Sequence, residues 1–357
     1  MRIVVLEDSL NVGFGGGQKV TLDVIAALRE CCDFEVFDTD PNSEFSSRIR
    51  AAGLVPHKMP SLKLSSVWRL LTPLIFPLLL LYSSFLVWRF VKTDISHSRC
   101  IVYAASKRGL VVSFLCRVLF GIDFIYHAHM IERIPIIFLV RFFSGFAVAT
   151  ICVSELVKDQ LPKENATVIY NSISSPILHS RKGLEGKQDI CVAMIGSLKA
   201  EKGVAVFVDS FKYLDNSRIS YHLFGAGILC GYLQDKNKVI YRGFTGDINS
   251  AFKSQIDILV VPSLIPESFS LVSLEAFSAG IPVIATDIGM QSKHVINSGA
   301  GILVPVSDAP SLAKAVNQLA SDGELYSSLS EAAVHYAASF EGDKFKEKLY
   351  DLIDCVR

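Results

Sequence analysis

Short apolar runs alternate with amphipathic stretches along most of the chain. The run Ile3–Glu7 has the length and composition of a buried strand, and Gln18–Arg29 places its apolar residues at helical spacing. Further strands are predicted at Phe34–Phe37, Phe124–His127, Ala149–Val153, Val168–Tyr170, Ile190–Ile195, Ile219–Phe224, Val239–Tyr241, Ile256–Val261, Pro282–Ala285 and Gly301–Pro305. Further helices are predicted over Val111–Phe120, Arg133–Gly145, Val204–Tyr213 and 309–355. This alternation predicts α/β domains with parallel sheets.

The pattern is interrupted once, by a polar, glycine-bearing stretch around His179–Gln188. We interpret this stretch as an interdomain linker, because domain boundaries fall in such segments. The predicted division is an N-terminal domain over 1–175, a linker over 176–188 and a C-terminal domain over 189–357. The last helix can pack back on the N-terminal domain. A chain of 357 residues suits two such domains.

Composition excludes some function classes. Lys+Arg and Asp+Glu both number 35, so bulk charge does not favour nucleic acid. Eight scattered cysteines without paired Cys-x-x-Cys motifs indicate reduced thiols in a cytoplasmic protein. The first residues form a predicted strand, so we expect no secretory signal.

The mean hydropathy of +0.39 is high, and much of the excess lies in the first half. No charged residue occurs from Leu70 to Trp88, which is long enough for a membrane span. Pro73 and Pro77 interrupt the stretch, and a span would cut an α/β domain in two. Three interpretations stay open: buried helices, a patch resting on a membrane surface, or a true span.

Arginines flank this apolar stretch and a second one, Ile134–Val148. They are Arg69 and Arg89 at the first and Arg133 and Arg141 at the second. Apolar segments flanked by cations favour a face that rests on anionic lipid. We therefore expect a protein at the inner face of the cell membrane.

Two glutamates with seven residues between them carry the most specific chemistry. Glu267 lies in a loop after the strand Ile256–Val261, and Glu275 lies within a helix predicted to start near Ser270. A loop and helix start in this position lie at the carboxyl edge of a parallel sheet, where ligands bind. The free N–H groups of a helix start attract phosphate, and carboxylates accept hydrogen bonds from sugar hydroxyls. The arrangement suits a ligand with both groups.

At these residues the chain resembles the retaining glycosyltransferases of family 4, which have the GT-B fold and an E-x7-E signature. The resemblance implies two Rossmann-like domains that face each other across a cleft. It implies that Glu275 holds the nucleotide ribose and that Glu267 touches the transferred sugar. It also implies that the N–H groups of Phe269, Ser270 and Leu271 face the diphosphate.

Two glycine-bearing segments extend the resemblance. Gly16 and Gly17, after the first strand, match a glycine pair that lines the donor and acceptor site in the family. The segment that starts at Gly196 matches the family's phosphate-neutralising loop at Lys202. Ser197 stands where the family has an arginine, and Lys199 is a possible substitute. A cation here stabilises the charge that grows on a leaving diphosphate.

Histidines end the strand Phe124–His127. By resemblance, His129 contacts the donor sugar. His127 is expected to be one side-chain reversal away, because neighbours on a strand face opposite sides. A buried structural role is the alternative for both.

The resemblance implies a metal-independent, retaining hexosyltransferase that needs no cofactor. It would move a sugar from a UDP- or GDP-type donor to a hydroxyl of a lipid-linked saccharide in surface polysaccharide or lipopolysaccharide biosynthesis. Two alternatives stay open: a nucleotide-sugar epimerase of the same fold, and a weakly catalytic subunit that binds nucleotide-sugar or a partner enzyme. Ser197 motivates the second.

Overall fold

The computed structural model describes residues 1–9, 14–61, 72–93, 99–173, 179–227, 239–244 and 248–356. The chain forms two compact units. Unit 1 comprises Met1–Ser172 with Asp343–Arg357, and unit 2 comprises Ile173–Gly342.

Unit 1 is built on a parallel sheet that has seven strands among the described residues, in the order β3-β2-β1-β4-β5-β6-β7. The strands are β1 (Arg2–Glu7), β2 (Asp33–Asp38), β3 (Pro56–Lys58), β4 (Cys100–Ala104), β5 (Phe124–Ala128), β6 (Ala149–Cys152) and β7 (Ala166–Val168). Strand order reverses between β1 and β4, which is where ligands bind in open α/β sheets.

Helices cover this sheet. They are α1 (Gly16–Leu28), α2 (Glu44–Ala51), α3 (Thr72–Thr93), α4 (Lys107–Phe120), α5 (Ile136–Ser144), α6 (Glu155–Lys158) and the last helix of the chain, α13 (Gly342–Val356). The core joins β1 and β2 to α1, and α13 adds Phe345, Leu349 and Ile353 to it. The C-terminal helix thus belongs to the core of unit 1.

Unit 2 repeats this architecture with six strands among its described residues, ordered β10-β9-β8-β11-β12-β13. The strands are β8 (Ile190–Ile195), β9 (Ile219–Phe224), β10 (Val239–Gly243), β11 (Ile258–Val261), β12 (Val283–Thr286) and β13 (Gly301–Val304). The helices are α7 (Val204–Ser210), α8 (Ile248–Ser254), α9 (Leu271–Ser278), α10 (Gly289–Ser298), α11 (Ala309–Ser321) and α12 (Gly323–Ala337). Strand order reverses between β8 and β11.

The prediction of two Rossmann-like α/β domains is confirmed, and some element bounds differ. Strand β4 was not predicted, although it is central in its sheet. The strand expected at Val168–Tyr170 lies at Ala166–Val168, and the helical region 309–355 is three helices.

The polar stretch interpreted as a linker belongs to unit 2 where it is described, from residue 179 onwards. Arg181 donates from its guanidinium to the carbonyl oxygens of Ala279, at 2.9 Å, and of Ile256, at 2.5 Å. A third bond goes to the Phe252 carbonyl. Composition alone does not reveal these bonds, because they depend on distant carbonyls being brought to one place.

Within the described residues, no helix is long and apolar enough to cross a membrane. Helix α3 occupies most of the apolar stretch at Leu70–Trp88. It buries Leu80 and Val87 and exposes Leu78 and Tyr82. The helix is therefore half core and half surface.

Candidate functional site

Unit 2 brings Lys202 and Glu267 into contact at the carboxyl edge of its sheet. Lys202 lies in the loop after β8 and Glu267 in the loop after β11, and the Lys202 Nζ lies 2.7 Å from the Glu267 Oε1. The same loops are joined by a backbone hydrogen bond of 2.8 Å from Leu264 to Glu201. Two residues predicted separately from sequence thus form one ion pair.

The Glu267 carboxylate is buried and well bonded. Ser263 donates its hydroxyl to the same Oε1 at 2.6 Å, and the Ser270 side chain also donates to the carboxylate. Burial alone would raise the pKa of Glu267, but the charge and hydrogen bond of Lys202, together with the two serines, hold that pKa below its usual value. Glu267 is therefore an ionised acceptor of hydrogen bonds at neutral pH.

The loop turns into helix α9 directly after Glu267. Ser270 is the N-cap residue, and it has a left-handed backbone with φ 65°. Its Oγ lies 2.8 Å from the Ser273 Oγ. The N–H groups of a helix start lack intrahelical partners and carry partial positive charge. The helix therefore begins where the sequence predicted it, next to the ion pair.

The other predicted residues of unit 2 surround this pair in sequence but differ in burial. Phe269 is buried and Leu271 is partly exposed at the start of α9, and Glu275 is buried within the helix. Ser197 and Lys199 are exposed in the loop after β8. Ser197 carries no charge, whereas Lys202 supplies a cation in direct contact with Glu267.

In unit 1, the glycine loop lies against the predicted histidine. Gly16 and Gly17 open α1, and a side-chain carbon added at Gly17 would lie 3.6 Å from the His129 ring. This contact places the first turn of α1 over the residue that follows β5. The glycine pair and His129, each of which the resemblance assigned to the donor, are therefore adjacent in unit 1.

His127 and His129 lie side by side, so the expected side-chain reversal between them is wrong. Residues two apart on a strand share a face, and their ring centroids are 4.0 Å apart. The Tyr103 hydroxyl contacts the His127 Nδ1. The His127 Nε2 and both ring nitrogens of His129 are buried without a hydrogen-bond partner in the described structure. His127 is fully buried, whereas His129 keeps some exposure.

Burial sets the charge of these groups. It lowers the pKa of His129 to about 4 and places that of His127 well below its ordinary value, with a smaller effect from the neighbouring ring. Both rings are therefore neutral at pH 7. At the end of β1, burial raises the pKa of Glu7 to about 8 despite hydrogen bonds from Asp8 and Thr21. Glu7 is therefore mostly uncharged at neutral pH, and the charges of Asp38 and Asp8 beside it add to the rise of its pKa.

The predicted membrane arginines lie around an apolar surface of unit 1. Arg89, Arg133 and Arg141 are exposed, and Arg69 lies outside the described residues. Among the nine residues of α5, only Val140 and Ser144 are buried. The exposed apolar side chains of this region are Leu78, Leu81, Tyr82, Phe85, Val118, Leu119, Ile134, Ile136, Phe138, Leu139, Phe142 and Phe146.

Aromatic contacts join this surface across three helices. Phe114 of α4 lies 5.8 Å from Phe142 of α5 between ring centroids, and Trp88 of α3 lies 5.0 Å from Phe120 of α4. Helices α3 and α4, and helices α4 and α5, are therefore in contact, and each of the three exposes apolar side chains. We call these exposed side chains the apolar face of α3, α4 and α5. Large exposed apolar patches are characteristic of interaction sites.

Sequence reasoning missed several residues that support the loop of Glu267. Ser263 follows β11, four residues before Glu267, and was not singled out. Gln291 and His294 follow the glycine that opens α10, and both bond to the loop. Ser263 could have been found from its place in the same loop as Glu267. For Gln291 and His294 no sequence signal exists, because their partners are backbone atoms.

Residues 178–335 match the family model described as "Glycosyl transferases group 1". The match covers nearly all of unit 2, which is therefore similar to the glycosyltransferase group 1 domain.

Curated relatives match over part of their length. An uncharacterized glycosyltransferase of Methanocaldococcus jannaschii is 26% identical over 198 residues, which is 48% of this chain and 50% of that protein. A D-inositol 3-phosphate glycosyltransferase of Streptomyces bingchenggensis is 39% identical over 87 residues, which is 24% of this chain and 19% of that protein. The chain therefore spans about half or less of the length of these relatives.

Solved structures match along the whole chain. HepE of Anabaena, in complex with UDP and glucose, has a TM-score of 0.81 at 18% identity and covers 99% of this chain and 100% of its own. The lipopolysaccharide outer core galactosyltransferase WaaB has a TM-score of 0.73 at 18% identity, with both chains fully covered. At this identity the likeness speaks for the fold, and the predicted GT-B fold is confirmed.

Proposed function

We propose that this protein is a retaining glycosyltransferase that moves a sugar from a nucleotide-diphosphate donor to a hydroxyl of a lipid-linked saccharide in surface polysaccharide biosynthesis. The observation that carries the proposal is the Lys202–Glu267 pair beside the start of α9, within a glycosyltransferase group 1 domain. This arrangement brings together a cation that can bind a phosphate, a carboxylate that can accept hydrogen bonds from sugar hydroxyls, and the N–H groups of a helix start.

In this proposal the donor diphosphate binds at the start of α9 and leaves with its charge stabilised there. A lysine ammonium has three donors, so Lys202 can bind Glu267 and a phosphate oxygen together. Stabilisation of a charge that grows in the transition state lowers the barrier, which is how Lys202 would act. Glu275 holds the ribose, following the family resemblance.

Within unit 2, the sugar is oriented by hydrogen bonds to Glu267, which accepts from hydroxyls as an ionised carboxylate. The family resemblance alone assigns a contact with the donor sugar to His129, whose neutral ring can both donate and accept. The proton of the acceptor hydroxyl passes to the leaving phosphate, so the proposal names no protein base. It also assigns no metal and no cofactor, following the family resemblance.

Donor screening tests this proposal. UDP-, GDP- and dTDP-sugars are added to the purified chain, and a bound donor raises the midpoint of thermal unfolding by mass action. Transfer and donor hydrolysis are then measured for the wild type and for Lys202→Ala. Activity that is lost in Lys202→Ala supports the transferase.

The alternatives predict different results. Conversion of the donor sugar without any acceptor would indicate an epimerase, and nucleotide-sugar binding without turnover would indicate a binding subunit. If no nucleotide-sugar shifts the unfolding midpoint and no transfer occurs, the proposed function is wrong.

The lipid-linked acceptor is supported by the apolar face of α3, α4 and α5. Ile134 is 78% exposed and Phe138 is 64% exposed. Exposure of apolar side chains to water in such a cluster is unfavourable unless another apolar phase covers them. Arginines at the edge of such a face attract anionic headgroups by about 1 kcal/mol each. We therefore propose peripheral binding to an anionic membrane surface.

Sedimentation with vesicles tests the membrane proposal. Replacement of Arg69, Arg89, Arg133 and Arg141 by Gln should release the protein from vesicles that contain anionic lipid, and Phe138→Ser with Phe142→Ser should do the same in low salt. The control replaces exposed lysines elsewhere, namely Lys253, Lys314 and Lys344. Equal binding of the arginine variant and the control, or no binding by the wild type, would refute the membrane proposal.

A further inference from the structure

Helix α10 holds the backbone of the Glu267 loop at three places. The Met290 N–H donates to the Glu267 carbonyl at 3.0 Å, and the Gln291 Oε1 accepts from the Glu267 N–H at 3.1 Å. The His294 Nε2 lies 2.6 Å from the Phe269 carbonyl oxygen. Both ends of Glu267 and the carbonyl of Phe269 are thereby fixed by one helix.

The close approach of α10 depends on glycine at its first position. A side-chain carbon at Gly289 would lie 2.6 Å from the Glu267 nitrogen and 2.7 Å from the Gln291 Oε1. Such distances are shorter than real carbon contacts. The close packing of α10 against the loop therefore requires a residue without a side-chain carbon at position 289.

The hydrogen bonds of His294 define its tautomer. A carbonyl oxygen only accepts, so the Nε2 of His294 carries the proton and the Nδ1 is the acceptor. The Tyr336 hydroxyl lies 3.0 Å from that Nδ1 and donates to it. Both His294 and Phe269 are buried, and Tyr336 and Phe340 pack around the His294 ring with centroid distances of 5.9 Å and 5.7 Å.

The direction of the Phe269 carbonyl determines the direction of the next N–H group. In a trans peptide the carbonyl and the following N–H point in opposite directions. Since the Phe269 carbonyl points at His294, the Ser270 N–H points away from the buried aromatic cluster. Ser270 is the N-cap residue of α9, where the proposed function places the diphosphate.

We propose that His294, held between the Phe269 carbonyl and the Tyr336 hydroxyl, is a positioning residue that aims the Ser270 N–H at the diphosphate of the donor. It touches no ligand and acts through the peptide between Phe269 and Ser270. The inference rests on the proposed function, because it presupposes a nucleoside diphosphate at the start of α9.

The affinity ratio between nucleoside diphosphate and nucleoside isolates the contribution of the diphosphate. UDP with uridine, or GDP with guanosine, is titrated into the full-length wild type and the variants. His294→Leu removes the donor and should lower this ratio by about tenfold, the effect of one well-placed hydrogen bond. His294→Gln retains an amide donor and should recover part of the ratio. Tyr336→Phe should lower the ratio by less than His294→Leu does.

Tyr326→Phe is the matched control. Tyr326 lies on α12, the same helix as Tyr336, is fully buried, and donates to a backbone carbonyl, that of Asp257, at 2.9 Å. This variant loses a comparable hydrogen bond away from the loop and should leave the ratio unchanged. A ratio that falls equally in Tyr326→Phe and Tyr336→Phe would indicate general destabilisation and overturn the inference.

A spectroscopic measurement keeps the inference testable if His294→Leu does not fold. Imidazole nitrogen chemical shifts of His294 should show a protonated Nε2 and an unprotonated Nδ1 in the wild type, because the Phe269 carbonyl can only accept. The opposite tautomer in the wild type would overturn the inference.

An unchanged ratio in His294→Leu, with diphosphate bound by the wild type, refutes the inference alone. Absence of diphosphate binding by the wild type refutes the proposed function first.

Discussion

Loss of the Lys202 ammonium should destabilise unit 2 because it leaves Glu267 without its charge partner. In Lys202→Met the carboxylate keeps its two serine donors but loses the cation at 2.7 Å. Removing one partner from a fully buried pair costs about 3–5 kcal/mol, and an exposed pair contributes about 0.2–1 kcal/mol. The side chains of Lys202 and Glu267 are 33% and 10% exposed, so we expect an intermediate loss of about 2 kcal/mol.

The loss should depend on pH in a definite direction. In the wild type the pKa of Glu267 is lowered, so its stabilising contribution is present above the unfolded value of 4.5 and is lost as pH falls through the folded value. In Lys202→Met we expect burial to raise that pKa above 4.5. The two proteins should therefore differ most at neutral pH, and the difference should shrink in acid as the carboxyl is protonated.

Measurement of this effect has to report on unit 2. Both tryptophans, Trp68 and Trp88, belong to the sequence of unit 1, so tryptophan fluorescence does not follow unit 2. Hydrogen exchange of peptides from 190–340, combined with denaturation followed by circular dichroism, gives the required local free energy.

Lys212→Met is the control, since Lys212 forms an exposed pair with Asp209 at 2.8 Å in the same unit. It should lose less than about 1 kcal/mol, so its stability should stay close to that of the wild type at every pH. Equal losses in the two variants, or a Lys202→Met loss that stays constant from pH 7 to pH 4, would refute the reasoning.

Three further predictions concern single positions. Gly203→Ala should cost more than about 3 kcal/mol in unfolding free energy, because its added carbon would lie 1.8 Å from the Pro262 carbonyl oxygen. Gly299→Ala, at a similar positive φ but with open space around it, should cost only about 1 kcal/mol. Equal costs in the two variants would contradict the steric argument. Ser270→Gly should be about 1 kcal/mol more stable than Ser270→Ala, because both variants lose the hydroxyl and only alanine is strained at φ 65°. Equal denaturant midpoints for the two variants would argue against backbone strain at this position. The wild type should lose stability relative to Glu7→Gln as pH rises from about 4.5 to about 8, because the folded carboxyl binds its proton more tightly than the unfolded one. Parallel curves of stability against pH over this range would mean that folding does not raise the pKa of Glu7.

The sequence by itself determined the fold class. Apolar strands such as β1 and β8 are buried on both faces, and their alternation with amphipathic helices leaves a parallel α/β arrangement as the way to cover them. It also determined where the candidate residues of unit 2 lie in the sheet. Glu267 and the start of α9 follow a strand directly, so their place at the carboxyl edge is a local consequence of chain order.

Only the tertiary structure decided the partners of these residues. The contact between Lys202 and Glu267 joins loops that are 65 residues apart, and no local pattern specifies its distance. Gln291 and His294 bond to backbone atoms that every residue carries, so their role is invisible in a string of side chains. Burial likewise fixed the neutral state of His129, because desolvation depends on neighbours brought together by the whole sheet.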